Sequence, residues 1–452
     1  MDALSILQFL QYVSSLVKPI KEFLMNFLID WWWLIAPFIL WRPFYLLWHW
    51  WRNEIFFSYI KFVFLEVILP KETKKPLRAM EQVISSIWGS VYDPPDWWEE
   101  HIEGKVILSV VFEIISLEGK IHFFIRVPER ARAGVESSIY SQYPDAEIIE
   151  VDDYTKYVPQ DIPNKDWDCW GFDVQLLKPE VYPIRTYEMF FEERPETTEE
   201  KRLDPLSPLL EGMTKLNKGE HMWLQIVVKP IAPADYPYPE IGKKEVNKLM
   251  KRVKEEKKGT KSLIEMIIDE FIFLFTGKKP PTEAQKSAET SALFTEYIFG
   301  LTEDERKVIA AIEKKVSKFC FMGFIRFLHV YKRDSVSTAA KPVVIGFLES
   351  LSTTNLNTMK PWGETITKVH KHWFLPYNLF LPRLLYLKKR KMFNNYMMRV
   401  PPKFPNPGGT FILNTEELAT LFHFPSRDIS PVPFIRRVEA TKGIPPSTIP
   451  LE

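Results

Sequence analysis

A chain of 452 residues, 46% hydrophobic and 14% aromatic, holds enough apolar material for two or three packed domains. Its 59 Lys and Arg nearly balance 58 Asp and Glu, so a net charge of +1 excludes a globally basic nucleic-acid binder and leaves electrostatic partners to local patches. Cys169 and Cys320 are the only cysteines and form no CxxC spacing, which excludes a disulfide scaffold and a thiolate zinc cluster and fits a reducing, cytosolic body.

Leu4, Leu7, Leu10 and Val17 recur at helical spacing and predict an amphipathic helix over residues 3–20. From Phe23 to Trp51 follows an apolar stretch whose titratable side chains are Asp30, Arg42, Tyr45 and His49. It predicts a membrane anchor, either a transmembrane helix with tryptophan belts or a re-entrant or interfacial hairpin bent at Pro37 or Pro43. Basic residues from Arg52 to Arg78 outnumber Lys18 and Lys21, so the positive-inside rule places the C-terminal part in the cytoplasm at a cell membrane. Residues 1–58 are therefore expected to form this leader and anchor.

The apolar period then alternates between strand and helix. Residues 61–69 read as a strand, Pro76 to Trp88 as a helix stopped at Gly89, and 105–117 and 120–127 as a hairpin turning at Glu118-Gly119. A helix near 129–141 and a strand at 146–151 complete β-α-β-β-α-β, the ferredoxin-like or split βαβ order, as a first domain over 59–160. A looser second copy is expected over 165–360. It comprises strand 170–178, helix 204–216, strand 221–229, an insertion at 232–302, helix 303–317, strand 321–331 and helix 340–351. The predicted fold class is thus α+β, an N-terminal transmembrane or re-entrant helical anchor followed by two ferredoxin-like units.

Signatures of chemistry are missing. No GxxxxGK[ST] phosphate loop, GxSxG elbow, HExxH helix or GxGxxG turn occurs, and the pair His370 and His372 has no third ligand, so neither enzyme, cofactor nor metal is expected. Charge is more informative. Residues 243–261 hold nine Lys or Arg against three Glu, ahead of an apolar run at 263–275, a combination that suits an anionic membrane surface or a solvated helix. Residues 365–415 carry nine Lys or Arg and no acidic residue, interleaved with aromatics. Cations neutralise phosphates and aromatics stack on bases, which marks Arg383, Lys388, Lys389, Arg390 and Lys391 as candidates for DNA or anionic lipid.

The segment 408–425, GGTFILNTEELATLFHFP, predicts a short helix capped at Asn414 or Thr415, with Glu416 and Glu417 in its first turn and Leu418, Leu421 and Phe422 as its apolar side. His423 and Pro425 end it, and a proline-rich tail closes the chain. The runs ILNTEELATLFHFP, VPFIRRVEATKGIPPSTIP, LEVILPKETKKPLRAMEQV, ESSIYSQYPDAEIIEVDDY and YPIRTYEMF resemble an uncharacterised membrane-protein family of candidate-phylum bacteria, from Phe62 to Leu451 except the insertion. In longer members the tail leads into a hexameric P-loop ATPase similar to those of type IV secretion and conjugation, and this chain ends at Glu452 before such a domain. The resemblance implies a membrane-proximal, non-enzymatic component of a secretion or DNA-translocation machine. A separate P-loop ATPase would dock on Asn414, Glu416, Glu417, Leu418 and His423. A homo-oligomer is compatible with this reading; a stand-alone membrane-bound nucleic-acid-binding protein and an enzyme with a dispersed site are the alternatives.

Overall fold

The computed structural model describes residues 18, 30, 37, 40–70, 75–190, 204–250, 302–337, 340–369, 380–406, 408–425 and 437–438. The leader helix at 3–20 apart from Lys18, the apolar run at 263–275, His370 with His372 and most of the tail lie outside them. The chain divides into two compact units, residues 1–60 with 93–107, and residues 61–92 with 108–452.

In the first unit, residues 40–59 are helical (α1). Trp48 Nε1 donates to the His101 carbonyl at 2.9 Å, Arg52 Nε donates to that of Ile102, and His101 stacks on Trp97 at 5.0 Å. Lys105 pairs with Glu99 at 2.8 Å and Asp93 at 3.3 Å, closing the π-helical turn Glu99–Glu103. Leu40, Phe44, Leu47 and Trp51 recur at i, i+4, i+7 and i+11, so they share one helical stripe. All four are at least half exposed.

The second unit is built on one sheet. Its strands are β1 (Phe62–Pro70), β2 (Val110–Leu117), β3 (Lys120–Pro128), β4 (Glu147–Val151), β5 (Trp167–Leu176), β6 (Glu220–Ile231), β7 (Cys320–Lys332), β8 (Met359–Pro361), β9 (Phe411–Asn414) and β10 (Arg437–Val438). They run in the order β10-β1-β3-β2-β6-β7-β5-β8, with β4 on β1 and β9 on β7, and every pairing is antiparallel except the short β1–β10 contact. The β2–β3 hairpin turns through Glu118 and Gly119, both at positive φ. A Cβ on Gly119 would stand 2.9 Å from the Thr214 carbonyl, which is why glycine is required there.

One face of the sheet is covered by α2 (Leu77–Val91), α3 (Arg132–Gln142), α4 (Ser207–Thr214), α7 (Ala340–Ser350) and α9 (Thr415–Leu421). Two other helices are α5 (Tyr238–Leu249) and α6 (Glu303–Ser317), whose packed apolar residues include Val246, Ile309 and Ile312. Ala79, Met80, Val83, Ile84, Ile87 and Val91 form the buried side of α2. This helix runs past Gly89, where it was expected to stop, because Val91 is buried and Trp88 is held by stacking on Tyr92 at 4.5 Å. Across the other face lies α8 (Leu381–Met398), which packs Met392, Phe393 and Tyr396 on Trp223, Tyr154 and Leu328.

The expected fold class is corrected in two respects. Among the described residues no helix is long and apolar enough to cross a membrane, and α1 is interrupted by Arg42, His49, Arg52 and Glu54. Nor is the body two separate units. β2 and β6 pair from Val110↔Val228 to Leu117↔His221, so the orders β4-β1-β3-β2 and β8-β5-β7-β6 are joined edge to edge into one sheet with a continuous core. Unpaired strand edges invite further pairing, and this fusion removes two of them.

Candidate functional site

Cross-strand partners share a face, so the registers place a polar row across the α8 side of the sheet: Glu66, Phe124, Glu113, Gln225, Arg326 and Asp173. Buried polar groups require partners: Glu66 meets His122 at 2.7 Å, while Glu113, Gln225 and Arg326 obtain theirs in part from α8 and its exit. Arg399 ends α8 in the left-handed region and donates to Glu113 at 3.0 Å and Asp153 at 2.9 Å. Gln225 also donates to Glu113, at 2.8 Å, and the hydroxyls of Tyr154 and Tyr396 meet at 2.5 Å. Burial and the nearby Arg399 push the Arg126 guanidinium down to about 10, and it lies over the Phe62 ring at 3.7 Å. Further along the row Arg326, fully buried, donates to Asp173 at 2.7 Å and to the Val400 carbonyl at 3.2 Å. Its Nη1 finds no hydrogen-bond partner among the described residues.

Asp173 opens into a cleft of about 340 Å³. Lys388, Lys391, Met392 and Asn395 of α8 form one wall, and Glu364, Thr365, Pro402, Lys403 and Asn406 the other. Helical spacing accounts for the first wall, since residues three and four apart stand above one another. Lys403 reaches Glu364 at 3.4 Å, and burial raises the pKa of Asp173 despite the opposing charge of Arg326. Among the described residues Lys388 and Lys391 have no carboxylate within ion-pair distance. Positive charge therefore exceeds negative in the cleft, and the lining can hold an anion by charge-assisted hydrogen bonds.

The five cations selected from the sequence divide. Arg383 is exposed and Lys388 and Lys391 line the cleft. Lys389 instead pairs with Asp168 at 2.6 Å, and Arg390 donates to the Gln160 and Ile162 carbonyls at 2.6 and 3.2 Å, so these two tether α8 to the body.

The C-terminal motif lies inside the molecule. Asn414, Glu416, Glu417, Leu418 and His423 are all at most 2% exposed. Asn414 and Glu417 form a reciprocal capping box, and Glu417 also accepts from Lys315 at 2.9 Å and from the Ile184 amide at 2.9 Å. Glu416 pairs with Lys318 at 2.8 Å and Lys314 at 2.9 Å, and His423 meets Asp204 at 2.8 Å. Leu418 belongs to the main core. These side chains hold α9 in place and offer no outer surface to a partner.

No group of three or more metal-ligating side chains occurs among the described residues. Burial pushes the Cys169 and Cys320 thiols up to about 12, which leaves them protonated and unreactive at neutral pH. Lys403 was among the nine cations of the basic segment 365–415, but its meeting with α8, like that of Thr365 and Asn406, carried no sequence signal, because loops that only the fold brings beside α8 deliver all three.

A family model described as a domain of unknown function (DUF8128) matches residues 103–340, more than half of the 452. The chain belongs to this family. The matched span runs from before β2 to the first residue of α7, and so includes Asp173 and Arg326 but none of α8 or α9. An uncharacterised family agrees with the resemblance at that level, and the match carries no link to secretion ATPases. A search of curated proteins finds no match.

Proposed function

We propose that this chain is a non-enzymatic, nucleic-acid-binding component of a DNA-translocation machine of the type IV secretion kind, with α8 as its contact surface. The observation that carries the reading is the set of cations Arg383, Lys388 and Lys391, which have no ion pair among the described residues while Lys389 and Arg390 are tethered. A phosphate backbone is the polyanion such a surface suits, because neutralising each phosphate releases condensed counterions. A P-loop ATPase partner is the part of this proposal that rests on the resemblance alone. Its recruitment would use a surface other than the buried side chains of α9.

The test is DNA binding by fluorescence anisotropy across a salt series, with the full chain and the triple variant Arg383→Ala, Lys388→Ala, Lys391→Ala. The wild type should bind at low salt, and the slope of log affinity against log salt should fall by about one for each contact removed. Identical slopes, or no binding at low salt, would overturn the proposal.

A second reading, contact with a lipid surface without crossing it, is supported by the exposed stripe Leu40, Phe44, Leu47 and Trp51 together with exposed Trp41 and Trp50. Tryptophan favours the bilayer interface, and contiguous exposed apolar side chains mark interaction surfaces. Flotation with neutral phospholipid vesicles should carry the wild type upward and leave Phe44→Ser, Leu47→Ser, Trp51→Ser behind. Equal flotation of the two, or concentration-dependent self-association in place of vesicle binding, would count against it.

A further inference from the structure

We infer that the cleft between α8 and the 402–406 loop is a binding site for a small organic phosphate that carries hydroxyl groups. Its volume of about 340 Å³ lies at the lower end of the roughly 300–1,000 Å³ that small ligands fill, so it admits one small molecule and no folded chain or duplex. The lining carries two kinds of charged group, lysines and carboxylates. Lys388 and Lys391 are spaced to reach the same group from α8, and Lys403, paired with Glu364 at 3.4 Å, lines the other wall. Two ammonium groups without a carboxylate partner among the described residues suit a phosphate, whose oxygens accept several charge-assisted hydrogen bonds.

Asp173 is 1% exposed where it meets the cleft, and Arg326 fixes its carboxylate at 2.7 Å. A bare dianion gains nothing from a carboxylate wall, whereas a hydroxyl donates to it. Asn395, whose Nδ2 donates to the Pro402 carbonyl, and Asn406 add further polar groups to the lining. Phosphate at Lys388 and Lys391 with hydroxyls toward Asp173 is the arrangement that satisfies both kinds of group together. The inference does not depend on the nucleic-acid reading, although the two share Lys388 and Lys391. A nucleoside monophosphate and a free sugar phosphate present the same pair of groups.

Isothermal titration calorimetry of the full chain with adenosine 5′-monophosphate, ribose 5-phosphate and inorganic phosphate tests the site. At least one organic phosphate should bind about tenfold or more tightly than inorganic phosphate, and preference between the two identifies the source of the hydroxyls. Lys391→Ala and Asn406→Ala, both on the exposed rim, should each weaken that binding, Lys391→Ala by about tenfold. Arg383→Ala should leave it unchanged while weakening DNA binding, so the two readings fail separately. The inference is overturned if neither organic phosphate binds at millimolar concentration, if inorganic phosphate binds equally well, or if Lys391→Ala has no effect.

Discussion

His329 lies on β7 with 2% of its surface exposed, and neither ring nitrogen has a hydrogen-bond partner among the described residues. Glu220 is 3.9 Å away, beyond hydrogen-bond reach, and its oxygens accept from the Asn217 and Ser337 amides. Burial, with Lys341 and His221 adding repulsion, pushes the imidazole pKa down from 6.5 to about 4. The unfolded chain therefore binds this proton more readily than the folded one, so stability is lost as pH falls from about 6.5 toward 4. Between pH 7 and pH 5 this residue alone should remove about 2 kcal/mol. Urea unfolding of wild type and His329→Met at the two pH values checks the sign, and the variant should lose that much less on acidification. A larger loss in the variant would show that protonation of His329 is not the cause. No sequence signal distinguishes this histidine, since its burial is set by strands more than a hundred residues apart.

The helices differ most in how far their roles follow from their sequences. α9 was legible as an element, because an Asn414 cap, two acidic residues in the first turn and an apolar run specify a helix locally. Its burial was not, since polar residues at the start of a helix read as exposed. They are buried here because α6 supplies the opposite charges: Lys315 Nζ meets Glu417 at 2.9 Å and the Ile412 carbonyl at 3.0 Å. Lys315→Met should lower stability by about 3–5 kcal/mol by leaving the Glu417 charge buried without its cation. Pairing it with Glu417→Gln should recover part of the loss in chemical unfolding. A loss below about 1 kcal/mol for the single change would show the charge pair to be dispensable. For α8 the difficulty was reversed. Its apolar residues Leu384, Leu385, Met392, Phe393 and Tyr396 follow a helical period, but the run Lys388 to Lys391 drew the reading toward a continuous basic patch. Helical geometry splits that run between tethers to the body and the cleft.

On the scale of the whole molecule, β2 and β6 decide the architecture. Each is buried at nearly every position because both faces are covered, by the helices on one side and by α8 with its exit on the other. Their β-branched and aromatic residues reveal strands but not which strand lies beside which. The sequence by itself determined β1 to β7 and the helices α2, α3, α4, α6, α7 and α9, since period, prolines and caps act over a few residues, but not α5, α8, β8 or β9. It also determined the absence of phosphate-loop and thiolate-cluster motifs, and the presence of a basic segment near residue 390. Only the tertiary structure decided that the halves share one sheet, that α9 is core, and that Asp173, from a strand more than two hundred residues earlier, meets Lys388 and Lys391 in a cleft. Pairing partners and the desolvation of charges depend on contacts distant in sequence, and no local pattern of residues encodes them.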